Sequence, residues 1–124
     1  METFLRDQLE RFLEAVDAAL TSPAQVVVIG GTAAALHYGV RRATHDIDTW
    51  TTVHADLAAA AERARAVTGL DVPIQKSAVA DAPYEFESRL ERVLPDLRKL
   101  TVLVPEKHDL AAWTDVNRGP RAHG

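Results

Sequence analysis

Gly30, Gly31 and Thr32, followed by Asp46 and Asp48, are the residues of this chain whose types and spacing point to chemistry. The glycine pair ends the apolar run Val26, Val27, Val28, Ile29 and opens an alanine-rich stretch, the mark of a strand turning into a helix. Bare backbone N–H groups at a helix N-terminus bind phosphate, because the amides point outward and the helix dipole favours negative charge. Thr32 brings a hydroxyl to the same place. Asp46 and Asp48 lie two positions apart, so on a strand both carboxylates leave one face. Like charges held that close repel unless a cation or a shared proton lies between them. Magnesium takes hard oxygen ligands, commonly one or two protein carboxylates together with substrate phosphates. A tight turn and a solvated strand face would explain either part alone. In this order they describe a phosphate cradle beside a divalent-metal site.

The elements that must position these residues follow from hydrophobic periodicity. Leu5, Leu9, Phe12, Leu13, Val16 and Leu20 recur at helical spacing, which predicts an amphipathic N-terminal helix over residues 3–20. Ser22 and Pro23 break it. Residues 25–29 read as a strand buried on both faces, 32–38 as a short helix stopped by Gly39, and 46–52 as a second strand. A helix is predicted over 55–68, with Leu57, Ala61, Ala64 and Val67 on one side and Gly69 as its stop. Residues 72–79 read as a strand pushed toward an edge by Pro73; 84–90 and 100–104 are further strand candidates, and 106–113 a short helix. Residues 114–124 lack an apolar period and read as an irregular tail. The fold class is α/β: one domain over residues 1–113, a mixed β-sheet flanked by helices, with the amphipathic helix in front.

Composition narrows the classes. A chain of 124 residues with 47% hydrophobic and 26% charged residues can bury a core without staples. The absence of cysteine excludes disulfides and thiolate zinc sites, and it suits a reducing cytoplasm. No apolar run approaches the roughly 20 residues of a membrane-spanning helix. A net charge of −4 argues against a broad electrostatic grip on nucleic acid, although Arg41 and Arg42 form a local basic pair. His37 and His45 flank the motif without zinc-ligand spacing, and core or surface roles are expected for both.

A buried strand, a Gly-Gly turn and an Asp-x-Asp strand in this order resemble the nucleotidyltransferase superfamily. The phrasing Arg42, Thr44, Asp46, Asp48 is similar to the small prokaryotic nucleotidyltransferase toxins of toxin–antitoxin systems. The resemblance is dense over residues 26–50 and looser to about residue 112. It implies transfer of a nucleotide from a nucleoside triphosphate to an RNA or protein hydroxyl, and an antitoxin protein as a further partner. Asp46 and Asp48 would hold Mg2+ (or Mn2+), two such ions about 3.5–4 Å apart clamping the attacking and leaving oxygens. Gly30, Gly31 and Thr32 would hold the β- and γ-phosphates. Arg42 would neutralise phosphate charge, or else cap a helix or form a surface ion pair. A third carboxylate is expected from a later strand, and Glu85, or Glu87 on the same alternating run, fits that context. After Asp109 the family continues as a lysine-bearing helix, whereas Thr114 stands here where the lysine would be. A C-terminus shortened in this way implies a second reading: a nucleotide- or partner-binding protein with weak or absent turnover.

Overall fold

In the computed structural model the described residues are 2–38, 43–77 and 82–112. The order is α1 (Arg6–Ala19), β1 (Ala24–Ile29), α2 (Gly30–Tyr38), β2 (Ile47–Thr49), α3 (Ala55–Thr68), β3 (Ile74–Lys76), a 3-10 turn over Phe86–Arg89, β4 (Glu91–Val93) and β5 (Leu100–Val104). A helix then begins at residue 107 and is described to 112. The strands form one mixed sheet in the order β3-β2-β1-β5-β4. β1 is parallel to β5 and antiparallel to β2; β3 is parallel to β2, and β4 antiparallel to β5. This is the α/β mixed sheet with an amphipathic N-terminal helix that periodicity predicts. Gly39, Arg41, Arg42 and the tail from Thr114 lie outside the described residues.

The sheet buries two unequal faces. On the larger side, Leu9, Phe12, Leu13 and Val16 of α1 meet Leu57, Ala60, Ala61 and Ala64 of α3, over Val26, Val28, Leu100, Val102 and Val104. The alanines of α3 let the two helix backbones approach closely. Full burial of each large apolar side chain there contributes about 1.5–3 kcal/mol. Two members of the predicted stripes fall outside them. Val67 is 80% exposed, its place on α3 taken by Ala60, and Leu5 is 56% exposed at the N-cap of α1 while Phe4 is buried.

Val27 and Ile29 point to the other side of the sheet, where Phe86 covers them and meets the Trp50 ring edge-on at 5.4 Å. That cover overturns the strand predicted over Tyr84–Leu90. Glu85 takes φ +53, the chain winds through one 3-10 turn, and the strand begins only at Glu91. The alternation of Tyr84, Glu85, Phe86 and Glu87 mimics a strand, yet only Phe86 is buried, as a plug over the back of β1. Arg89 fixes this segment to the last helix through paired bonds to the Asp109 carboxylate at 2.7 and 2.9 Å, and it donates to the Tyr84 carbonyl. Glu106 in turn accepts the Asp109 N–H at 2.8 Å at the start of that helix.

Candidate functional site

The site forms where β1 ends. Gly30 adopts φ +70, a left-handed conformation that side-chain-bearing residues resist, and this turns the chain from β1 into α2 within one residue. A Cβ at Gly30 would stand 3.8 Å from an Asp48 carboxylate oxygen, an ordinary contact. The cost of Gly30→Ala is therefore backbone strain, and we expect a loss of about 1 kcal/mol in denaturant unfolding. An unchanged midpoint would show that the turn relaxes to negative φ.

β2 is shorter than predicted, covering Ile47–Thr49, with Asp46 immediately before it. Its register sets Asp48 beside Ile29, one residue from the glycine turn. Ile47 and Thr49 are buried and Asp48 half-buried, so Asp48 shares the outward face with Asp46. The backbone entering β2 is pinned: Thr32 and Thr44 hydroxyls both donate to the Asp46 carbonyl, at 2.8 and 3.1 Å. Thr32 is 1% exposed. Its hydroxyl is thus engaged in positioning Asp46.

Gln75, on edge strand β3, stands in register with Asp48, and its amide donates to Asp46 Oδ2 at 3.1 Å. Burial pushes the Asp48 carboxyl above its ordinary range, and the neighbouring Asp46 charge adds to the rise; a hydrogen bond from Gln75 opposes it. The amide therefore lies beside both carboxylates and donates to Asp46. A cation at the pair would reverse the rise, because it favours the charged form. The donor set is all hard oxygen, which fits magnesium or manganese completed by substrate phosphates. Beside the pair opens a cavity of about 400 Å3 whose lining includes His45, Asp46, Asp71, Pro73 and Gln75.

The structure thus brings together Gly30, Gly31, Asp46 and Asp48 from the expected set. Arg42 lies outside the described residues. Glu85 and Glu87 are both exposed, and the shared strand face expected for them does not exist. Among the described residues no group of three His, Cys, Asp or Glu side chains gathers around a common point, so neither glutamate joins the pair. His37 contacts Glu91, and His45 is exposed against the Glu2 carbonyl, in keeping with structural roles. Sequence reasoning missed Gln75, and it noted Thr44 in the motif without giving its hydroxyl a role. Gln75 is one polar residue in a short run, and only the pairing of β3 with β2 gives it meaning.

No helix among the described residues is long and apolar enough to cross a membrane. Neither a curated protein nor a solved structure matches the chain. A family model described as a nucleotidyltransferase of unknown function (DUF6036) matches residues 7–113, a span that runs from α1 into the last helix and holds every residue of the site. The glycine turn at the end of β1, the carboxylate pair on the neighbouring strand and this match over most of the chain agree, and the chain belongs to that nucleotidyltransferase family.

Proposed function

We propose that this protein uses a divalent cation to transfer a nucleotide from a nucleoside triphosphate to a hydroxyl of RNA or protein. The observation that carries the reading is the register of Asp48 against Ile29, which sets a carboxylate pair beside a glycine turn at the N-terminus of α2. Asp46 and Asp48 would hold Mg2+ or Mn2+, and the cation when bound would neutralise phosphate charge and orient the α-phosphorus. The amides that follow Gly30 bind the β- and γ-phosphates, with the dipole of α2 favouring their charge. Thr32 and Thr44 keep the Asp46 backbone fixed, so both carboxylates are oriented before substrate arrives. The acceptor oxygen bonds to the α-phosphorus and the bond to the bridging oxygen breaks. Pyrophosphate leaves with that electron pair, and the hydroxyl proton passes to solvent. A toxin role, opposed by an antitoxin protein, belongs to the same reading.

A second reading is nucleotide binding with little or no turnover. It is favoured by Gln75, an uncharged amide on the strand beside the pair. One assay separates the two. The protein is incubated with magnesium, cell extract and triphosphates labelled at the α- or the γ-phosphate. Nucleotidyl transfer carries the α-label onto RNA or protein and never the γ-label. Transfer of the γ-label, or of neither label, would sink the first reading; magnesium-dependent nucleotide binding without transfer would establish the second.

A further inference from the structure

Gln75 has three properties that a merely structural strand residue does not combine. It pairs in register with Asp48 on parallel neighbouring strands, so the two side chains leave the sheet on the same face. Its Nε2 donates to Asp46 Oδ2 at 3.1 Å. It also lines the open cavity beside the pair instead of the core, while the adjacent Ile74 packs against the core.

From this placement we infer that Gln75 is the third arm of the site, a positioning residue that tunes it for one divalent cation instead of two. The inference rests on the reading that Asp46 and Asp48 hold such a cation. Two carboxylates side by side repel, and the Gln75 N–H donor holds one of them in place without adding charge. The two ends of an amide are nearly equal in shape, so a half-turn of the terminal torsion presents Oε1 where Nε2 stood. The same side chain then serves the cation-free pair as a donor and the loaded site as a neutral oxygen ligand. A carboxylate in its place would supply the further negative charge that a second cation requires. The neutral amide withholds it.

Manganese binding to the full chain, followed by electron paramagnetic resonance without nucleotide, tests this directly. Wild type takes up one Mn2+. Gln75→Ala binds it about tenfold more weakly, the scale of lost supporting contacts at metal sites, and stays folded because Gln75 is exposed. Gln75→Glu binds about tenfold more tightly, through the added charge. Two Mn2+ in wild type, no Mn2+ at all, or equal affinities in all three proteins would each overturn the inference. Transfer of α-label by wild type separates the two levels. Transfer with a Gln75-independent affinity removes the inference alone, and a Gln75-dependent affinity without transfer removes only the proposed activity.

Discussion

Asp48→Asn raises the melting temperature of the cation-free protein and lowers nucleotidyl transfer by about 100-fold or more. The two effects share one cause. Asp48 is half-buried next to Asp46, and both the burial and the neighbour's charge penalise its ionised form. A carboxyl whose pKa is raised on folding stays protonated in the native state where the unfolded chain has already ionised. Its contribution is therefore favourable at low pH and is lost as pH rises through the interval between the two values. At neutral pH, without cation, wild type bears the whole cost, and a neutral asparagine removes it. Magnesium should raise the melting temperature of wild type and leave that of the variant nearly unchanged. Thermal scans in chelator and in magnesium, beside the α-label assay, check all of this. A variant that melts below wild type in chelator would refute the electrostatic account. One that retains transfer within about tenfold of wild type would remove Asp48 from the site. The cost is the familiar exchange of stability for a site poised to bind.

Asp17→Ala is expected to have the largest effect on stability, a loss of about 2 kcal/mol or roughly 8 °C in melting temperature. The Asp17 carboxylate, on the last turns of α1, accepts backbone N–H bonds from Arg98 at 3.1 Å, Lys99 at 2.6 Å and Leu100 at 2.8 Å. Lys99 returns the contact by donating its Nζ to the Leu20 carbonyl at 2.9 Å, a cation at the negative end of the helix. Burial pushes the Asp17 carboxyl up, but the three backbone donors and the Lys99 charge outweigh it and hold the group below its ordinary range. The magnitude is kept modest because the group is partly solvated. A depressed carboxyl contributes its full stability above the unfolded value and loses it as pH falls through the folded one. The gap between wild type and Asp17→Ala is therefore widest at neutral pH and closes below the carboxylate range. Urea unfolding at pH 7 and in acid measures it, and a gap that persists undiminished in acid would rule out the ionised carboxylate as its source.

Much of this was legible in the chain. The continuous run Val26–Ile29 announces a strand segment buried on both faces, and all four of those side chains are buried. The glycine pair locates the turn into α2, since only a residue without Cβ adopts φ +70 cheaply. The alternation of Asp46, Ile47, Asp48 and Thr49 sets both carboxylates on the outward face. What stayed hidden depends on partners distant in sequence. Tyr84–Leu90 carries a strand's alternation, but Phe86 is drawn out of any ladder by the apolar back of β1 and by Trp50. The bond from the Thr32 hydroxyl to the Asp46 carbonyl at 2.8 Å joins residues 14 apart, and nothing local announces it. Gln75 carries no local signal at all, and its importance appears only once β3 lies beside β2.

The contacts of Asp17 also set a schedule for folding. The bond from Lys99 spans a sequence separation of 82, and β1 lies at the centre of the sheet with β5, its parallel neighbour, nearly as remote. Until that loop closes, β1 has only β2 beside it, and the Asp17 carboxylate near the C-terminal end of α1 lacks its three backbone donors. Loop closure of this length costs chain entropy before any contact repays it, and distant pairings of this kind slow folding. A chain emerging from synthesis at about 5–20 residues per second therefore waits several seconds between making β1 and making the strand that completes it. During that interval one edge of β1, the most apolar strand of the sheet, is open to any neighbouring strand.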